Sequence, residues 1–389
     1  MNETISLCPH ADICGGCSYQ GIDYQKQLDI KNDLVLKFLL EKKLRCGEYS
    51  PTCPAPAITA YRNKMEYSFG DDEKGGPMTL GLHRKGSYMS VINTDCCKIV
   101  PADFNLICKA TLKHMREHNH SFHKKRSHHG FLRHLVLRYG ESGGELLVNL
   151  VTTNEEKLAE NEFSKMLLAL PLDNKIVGIL HTINNKRSDT VDCESYNMLF
   201  GRDHYFEELM GMKFKVGAFT FFQTNTQAAK RLFTEALSLI PDKKDSRIFD
   251  IYCGTGTVSL ALSQKAKAVV GIEINPDSVA AARENAIINN INNCLFIEGD
   301  AFDGLTSLGE KPDMLIVDPP RMGIHPKALT KIASYDLDQI LYISCNPKTF
   351  CENALSLSYA GYRIETLKVY DNFPQTKHIE LVALLKKHT

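Results

Sequence analysis

The sequence predicts an α/β protein, and three patterns carry this prediction. From about residue 213, apolar runs of strand length alternate with helical segments, which is typical of a parallel sheet covered by helices on both faces. The last two of seven such runs, RIETLKVYD and HIELVALLK, leave no room for a helix between them, so we expect an antiparallel hairpin. Before residue 205, short strands and helices alternate irregularly, which indicates an α+β domain. We therefore predict two domains, 1–205 and 206–389, in a chain of 389 residues.

Composition and charge narrow the class of protein. Hydrophobic residues make up 43% of the chain and charged residues 24%, which is typical of a globular protein with a substantial core. No apolar run approaches the roughly 18 residues that span a bilayer, and the start MNETISLCPH lacks the features of a signal peptide. We therefore expect a cytoplasmic monomer with no membrane partner and no obligate protein partner. In that reducing compartment the 13 cysteines are expected to be metal ligands, catalytic thiols or core residues.

One window is basic although the net charge is zero. Residues 101–150 hold eight Lys and Arg against four Asp and Glu, together with seven of the 14 histidines. The densest part runs from His123 to His129. It is either a solvated loop, as most charge runs are, or a patch that contacts phosphates.

Three cysteines open the chain as CPHADICGGC. The paired glycines allow the backbone to turn tightly enough for Cys8, Cys14 and Cys17 to converge on one centre. Four thiolates are the usual number for an iron–sulfur cluster or a structural zinc, and Cys96 and Cys97 are both candidates for the fourth. The wide spacing from Cys8 and the distant fourth ligand favour iron–sulfur over zinc, but spacing leaves both open.

The elements of the first half follow in order. Residues 19–44 form one amphipathic helix in our interpretation, which we expect to pack on the second domain. Prolines 51, 54 and 56 end that pattern, and short β segments with glycine-rich turns follow to about residue 101. Helices near 103–118 and 155–169 are separated by further β segments.

The first strand of the second half leads into a glycine loop, Asp250-Ile-Tyr-Cys-Gly254-Thr-Gly256-Thr257. Ser259 replaces the third glycine of the dinucleotide fingerprint, so a nicotinamide cofactor is disfavoured. The next two strands end at Glu273, placed for ribose hydroxyls, and near Asp300, placed for an adenine. Together these residues are the arrangement of Rossmann-like S-adenosylmethionine-dependent methyltransferases, although each acid alone is as compatible with a helix cap.

The fourth strand ends in Asp318-Pro-Pro-Arg321. The prolines keep the backbone extended and expose the preceding carboxylate, which suits an N–H of a planar base. Amino-group methyltransferases carry an aromatic residue where this chain has Arg321. The difference favours methylation at carbon.

The fifth strand ends in Ser344-Cys345-Asn346-Pro347, followed by a helix. A thiol there lies where open α/β sheets bind ligands, and the helix N-terminus favours the thiolate. Carbon 5 of uracil becomes nucleophilic after a thiolate adds at carbon 6, and a base must later remove the carbon 5 proton. Glu380, in an otherwise apolar strand, is the candidate base. Alone, Cys345 is more often a core thiol and Glu380 a strand-edge residue.

Together the motifs CPH-x3-CGGC, F-x-Q-x-N, D-x-Y-C-G-x-G, DPPR, SCNP and HIE resemble the uridine-5 RNA methyltransferases, specifically the iron–sulfur branch. The resemblance covers residues 8–384. It implies Cys345 as nucleophile, Glu380 as proton acceptor and Asp318 at the target base. It further implies a pocket for S-adenosylmethionine and a [4Fe-4S] cluster. The implied pocket residues are Gln223, Tyr252, Gly254, Thr257, Glu273, Asp300 and Asp318, and the implied cluster ligands are Cys8, Cys14, Cys17 and Cys97.

The resemblance also implies the substrate. Within the family the cluster motif favours 23S rRNA as the RNA, with tRNA second. Many members carry an N-terminal β-barrel RNA-binding domain; only seven residues precede Cys8, so we expect it to be absent. Residues such as His123–His129 are then expected to contribute to RNA affinity. Two other classes stay open: an RNA-binding assembly factor without catalysis, and a methyltransferase acting on a protein or an exocyclic amine.

Overall fold

The computed structural model describes residues 8–241 and 243–388, and only the backbone of Lys243. The chain forms two compact units, neither of them continuous in sequence. The first unit contains residues up to Gly21, Ala57–Glu207 and Val216–Phe219. The second contains Ile22–Pro56, Glu208–Lys215 and the chain from Thr220 onward. The predicted division at 205/206 differs from this one, because residues 22–56 belong to the second unit and Val216–Phe219 belong to the first.

Helices and strands are numbered in chain order among the described residues. The helices are α1 (Tyr24–Glu41), α2 (Ala102–Glu117), α3 (Glu160–Leu168), α4 (Thr226–Ser238), α5 (Thr257–Leu262), α6 (Pro276–Ile288), α7 (Ala301–Leu308), α8 (Pro326–Ser334) and α9 (Pro347–Ser358). The strands are β1 (Cys46–Cys53), β2 (Lys64–Asp71), β3 (Met78–His83), β4 (Val91–Asn93), β5 (Leu132–Gly140), β6 (Glu145–Thr152), β7 (Lys175–Ile183), β8 (Ser195–Gly201), β9 (His204–Leu209), β10 (Met212–Gly217), β11 (Lys243–Ile251), β12 (Ala266–Glu273), β13 (Cys294–Glu298), β14 (Met314–Val317), β15 (Gln339–Ser344), β16 (Tyr362–Tyr370) and β17 (Glu380–Lys387).

The sheet of the second unit has the order β1-β16-β17-β15-β14-β11-β12-β13. All neighbours are parallel except β17, which pairs antiparallel with both β15 and β16, as the absence of a helix before it predicts. The predicted count of seven strands was wrong by one, because β1 adds an eighth at the edge. Proline at position 51 hides this strand in the sequence; it is tolerated because β1 is an edge strand whose register shifts between Ser50 and Cys53.

The core of this unit is formed by its sheet and the helices that pack on it. Apolar side chains of β11, β14, β15 and β17 are buried against α1, α8 and α9. Three helices begin at asparagines 225, 275 and 346, each of which accepts a backbone N–H of the first turn, and proline follows the last two. These caps fix where each strand ends and its helix starts.

Helix α1 confirms the predicted first helix but is shorter than 19–44. Its buried side chains are Gln27, Leu28, Lys31, Val35 and Leu39. Leu36 of the same helix is 42% exposed. The face that packs on the second unit is therefore partly polar.

The first unit contains a seven-stranded sheet of order β4-β3-β2-β5-β6-β7-β8. Its neighbours are antiparallel except β6 and β7, which are joined by a crossover through α3 and run parallel. Helices α2 and α3 pack beside each other and against strands of this sheet. None of the helices among the described residues is long and apolar enough to cross a membrane.

Candidate active site

Cys345 and Glu380 adjoin the last residue pair of β15 and β17 at one edge of the sheet of the second unit. Strand β15 ends at Ser344, which pairs with Leu381 of β17. Continuing this antiparallel register by one residue places Cys345 opposite Glu380, the first residue of β17. Opposed residues of an antiparallel pair have Cα atoms about 4.5–5.5 Å apart. The thiol and the carboxyl are therefore close neighbours.

The electrostatic environment of Cys345 differs from the one we expected. Burial, and then the carboxyls of Glu380 and Asp318, raise the pKa of the thiol to about 11, while Arg321 acts in the opposite direction. Helix α9 begins two residues later, as predicted. The helix N-terminus favours the thiolate, as expected from the sequence, but burial and the two carboxyls raise the pKa of this thiol.

The two carboxyls at this edge both have raised pKa values. Burial raises the pKa of Asp318 to about 7. Burial and the charge of Asp318 raise the pKa of Glu380 well above its ordinary range, against the lowering effects of Arg321 and Lys31. A carboxylate with a raised pKa is a stronger base than an exposed one. This edge of the sheet is thus suited to accept a proton.

The loop that follows β14 is fastened to α9. The side-chain amide of Asn346 donates to the Arg321 carbonyl at 2.8 Å, and the Thr349 hydroxyl donates to the same oxygen at 3.3 Å. Asn353 accepts the backbone N–H of Ile324 at 2.9 Å. Asn346 lies between Cys345 and Pro347, the first residue of α9. Its bond to Arg321 therefore joins the loop that carries Cys345 to the loop that carries Asp318.

Most of the predicted cofactor residues, Asp318 included, line a cleft in the same unit. It encloses about 410 Å³, including space open to solvent. The backbone turns sharply here, with positive φ at Tyr252 (69°), Gly254 (54°) and Gly256 (82°). The cleft is lined by Phe221, Phe222, Gln223, Phe233, Asp250, Tyr252, Cys253, Gly254, Thr255, Thr257, Val258 and Asp318.

Glu273 and Asp300 do not line this cleft, and each has a local role. The Glu273 carboxylate accepts the backbone N–H of Gly254 at 3.1 Å and that of Asn275 at 2.9 Å, so it fixes the glycine loop. Asp300 is exposed and caps α7 by accepting the N–H of Phe302 at 2.8 Å. Each carboxylate oxygen has two lone pairs, so these bonds leave room for ribose or adenine donors.

Ser259, which replaces the third fingerprint glycine, has a clear partner. Its hydroxyl donates to the buried Asp250 carboxylate at 2.5 Å. Burial raises the pKa of Asp250 to about 7, with Asp318 and Glu273 adding to the effect. The serine stabilises a buried carboxyl beneath the loop.

The sequence interpretation missed the contacts that hold the segment before β17. The Lys31 ammonium of α1 is fully buried and lies 2.6 Å from the Asp371 carboxylate and 3.3 Å from the Phe373 carbonyl. Gln27, one turn earlier, bonds Gln375 twice, at 3.0 and 2.9 Å. The available indication was a lysine and a glutamine among the apolar positions of a helix, where polar residues are rare without partners.

Four thiols of the first unit influence one another. The pKa of Cys17 is raised to about 12 by burial and then by Cys97, Cys14 and Cys8, which identifies all four as neighbours. Cys97 is affected in turn by Cys8 and Cys14. Cys96 has no part in this group: it is exposed, and its sulfur faces Asp95. The predicted set with Cys97 is thus the one brought together.

The turn that carries these thiols is tightly packed and supplies a backbone donor. A Cβ on Gly15 would lie 3.0 Å from the His83 carbonyl, and one on Gly16 would lie 2.8 Å from a Leu82 methyl. The N–H of Gly16 donates to the Cys14 sulfur at 3.4 Å. Larger residues at the paired glycines would therefore crowd their neighbours.

The open sheet, its glycine loop and the cleft beside it are the fold of S-adenosylmethionine-dependent methyltransferases, and comparison with solved structures agrees. The tRNA (uracil-54, C5)-methyltransferase of Pyrococcus abyssi, solved with S-adenosyl-L-homocysteine, is 26% identical, with a TM-score of 0.77 over 95% of this chain and 85% of that one. S-adenosylmethionine is therefore the cofactor of this fold.

Sequence comparison identifies the family. The family model described as tRNA (Uracil-5-)-methyltransferase matches residues 198–307 and 305–388. An uncharacterised RNA methyltransferase of Caldanaerobacter subterraneus subsp. tengcongensis is 43% identical over 99% of this chain and 85% of its own length. One from Bacteroides thetaiotaomicron is 33% identical over 99% and 88%. The chain belongs to the tRNA (uracil-5-)-methyltransferase family of RNA methyltransferases.

Proposed function

We propose that this protein methylates carbon 5 of a uridine in 23S rRNA, with Cys345 as nucleophile and Glu380 as proton acceptor. The observation that supports the proposal is the register of β15 and β17: it pairs Ser344 with Leu381, the neighbours of Cys345 and Glu380 in the chain, and the Glu380 carboxyl acts on the pKa of the Cys345 thiol. Asp318 adds a third group at the same edge, where an N–H of the uracil ring can donate to it.

The proposed reaction has three steps. The Cys345 thiol gives up its proton to solvent as its sulfur bonds to carbon 6, and the electrons of the carbon 5–carbon 6 double bond move to the carbonyl oxygen as an enolate. S-adenosylmethionine would supply the methyl group that carbon 5 takes up and would leave as S-adenosylhomocysteine. Glu380 then removes the carbon 5 proton, the double bond forms again, and the carbon–sulfur bond breaks. The released Cys345 thiolate takes up a proton from solvent, and Glu380 loses the one it accepted.

We further propose that Cys8, Cys14, Cys17 and Cys97 hold a [4Fe-4S] cluster. Cys17 is within electrostatic reach of the other three thiols, and the Gly16 N–H donates to the Cys14 sulfur at 3.4 Å. Four thiols with N–H donors to sulfur suit a cluster of this kind.

The alternative substrate is a tRNA uridine. It is favoured by the similarity to the Pyrococcus abyssi enzyme, whose substrate is uridine 54 of tRNA. The four-cysteine set is the reason for placing rRNA first. In either RNA the uridine must leave its stack to be reached by the thiol, which costs a few kcal/mol and favours a loop or junction.

The test combines mapping with trapping. Mass mapping of 5-methyluridine in rRNA and tRNA from a strain lacking the gene, followed by methylation of each purified RNA with labelled S-adenosylmethionine, identifies the substrate. We expect 5-methylation of one 23S rRNA uridine to be absent from this strain and to be restored by the purified protein. A change confined to tRNA would select the alternative substrate. Transfer of methyl to neither RNA would contradict catalysis.

Trapping tests the roles of the two residues. Glu380→Gln is expected to accumulate a Cys345–RNA adduct, seen as a slow band on a denaturing gel, because the carbon 5 proton stays in place. The matched control is Glu298→Gln, an exposed residue of the same sheet, which should turn over normally. Normal turnover by Glu380→Gln would contradict its assigned role.

A further inference from the structure

Two turns of the first unit are joined by one lysine. The Lys125 ammonium, in the basic segment, donates to the Tyr88 carbonyl at 2.9 Å and lies 3.2 Å from the His83 ring. It also pairs with Asp189 at 2.5 Å. Lys125 is therefore occupied in holding the turn of residues 84–90 against the hairpin of residues 122–132.

Backbone hydrogen bonds close the hairpin. Lys124 and His129 form a bridge, and the backbone N–H of His123 donates to the Leu132 carbonyl at 2.8 Å. Gly130 has φ of +119°, and a Cβ there would overlap the Phe122 carbonyl. The basic segment is thus an exposed turn with its own backbone hydrogen bonds.

The outer side of this pair of turns presents three cations and one ring. Lys85, Lys124 and Arg126 are exposed, and the ion pairs found among the described residues include none of them. Tyr88 is 74% exposed beside them. We call Lys85, Tyr88, Lys124 and Arg126 the basic ridge.

We propose that the basic ridge is an RNA-binding surface, on which the three cations contact phosphates and Tyr88 stacks on an unpaired base. The proposal rests on the proposed function in one respect, that the partner is RNA. Cations alone suit any polyanion, but an exposed aromatic ring among them is the combination with which proteins bind single-stranded nucleic acid. Because backbone hydrogen bonds already close the hairpin, its chain loses less conformational entropy when RNA binds.

The first experiment measures binding without the cofactor, using a fluorescein-labelled oligouridylate of roughly 20 nucleotides. Lys124→Glu/Arg126→Glu is expected to weaken binding by roughly tenfold or more. It should also reduce the slope of log affinity against log salt by about 1.4, because about 0.7 is lost per single-strand phosphate contact. The matched control is Lys113→Glu/Lys165→Glu, the same charge change on exposed positions of α2 and α3. Equal affinities of the two double variants would overturn the proposal.

The second experiment separates stacking from charge. Tyr88→Ala should weaken binding about 5- to 150-fold with an unchanged salt slope, whereas Tyr88→Phe should bind as the wild type does. Loss of binding in both, or in neither, contradicts stacking by the ring.

Methylation assays distinguish this proposal from the proposed function. Ridge variants are expected to raise KM for RNA and to leave kcat unchanged, since the ridge carries no group of the reaction. If the wild type binds the oligouridylate through the ridge but methylates no RNA, the proposed function is contradicted and RNA binding by the ridge is supported. If ridge variants methylate with unchanged KM and bind normally, RNA binding by the ridge is contradicted and the proposed function is unaffected.

Discussion

The two cysteine sites that we propose for this protein differ in what surrounds the sulfur. Cys8, Cys14, Cys17 and Cys97 are neighbours of one another, and backbone N–H groups point at their sulfurs. Cys345 has no thiol among the groups that shift its pKa; its neighbours are Glu380, Asp318 and Arg321. A set of thiols with N–H donors suits metal ligation, whereas one thiol among carboxyls suits proton-coupled covalent chemistry.

The difference teaches that exposure is not what sets the proposed functional cysteines apart. Cys96, the neighbour of Cys97, is exposed and its sulfur faces Asp95. All five cysteines to which we assign a role are half-buried. What distinguishes them is the kind of group that lies within electrostatic reach.

The largest expected effect breaks one site and leaves the other intact. Cys345→Ala should lower methyl transfer by roughly 10⁴-fold or more, because no other thiol is placed to add to carbon 6. Iron content and RNA affinity should stay at wild-type values. Single-turnover assays with labelled S-adenosylmethionine, together with iron analysis, check both statements; residual activity near wild type would remove the covalent mechanism.

The second prediction concerns the proposed cluster and leaves Cys345 unchanged. It compares the adjacent cysteines 96 and 97. Cys97→Ser should lose most of the bound iron and the broad absorption of thiolate-ligated iron, whereas Cys96→Ser should retain both. Proteins purified without oxygen and compared by iron and sulfide analysis give the answer. Equal loss in the two variants would show that both sulfurs serve the centre, and zinc in place of iron would reject the cluster.

A smaller effect concerns the charges around Glu380. Replacing the buried pair with Lys31→Met/Asp371→Asn removes the cation that lowers the Glu380 pKa. Glu380 must be unprotonated to accept the carbon 5 proton, so the acid limb of kcat should move to higher pH, and activity should recover when the pH is raised. Lys31→Arg, which keeps the charge, is the control. An unshifted limb with reduced kcat would assign the pair a structural role alone.

The smallest expected effect is on stability. Asp318 has a folded pKa of about 7 against an ordinary value of 3.8, so its contribution to stability is full below about pH 4 and is lost as the pH rises through 7. Asp318→Asn should therefore raise Tm at pH 8 by roughly 2–5 °C, and the gain should shrink toward pH 4. Asp245→Asn, an exposed control, should change Tm little. A lower Tm at pH 8 would contradict the burial cost.

Much of the site could be predicted because its residues follow strands in local motifs. Cys345, Asp318 and the loop from Asp250 to Thr257 each end a strand of a parallel sheet, and such ends meet at one edge. Glu380 is different: its position depends on β17 inserting antiparallel beside β15, which the missing helix before β17 predicts.

The rest could not be predicted because it depends on contacts distant in sequence. Strand β1 is formed by pairing with β16, more than 300 residues later, and contains a proline that argues against a strand. Lys31 meets Asp371 across 340 positions. The raised pKa of Cys345 depends on burial, which a local motif does not contain.

The central place of β17 in its sheet has a consequence for the synthesis of the protein. Glu380 is added to the chain 35 residues after Cys345, roughly 2–7 s later at 5–20 residues per second. Until then, β16 and β15 lack the strand that lies between them. A nascent chain therefore carries Cys345 and the glycine loop before it has the carboxyl that we propose as the proton acceptor, and the sheet around them is complete only once β17 is in place.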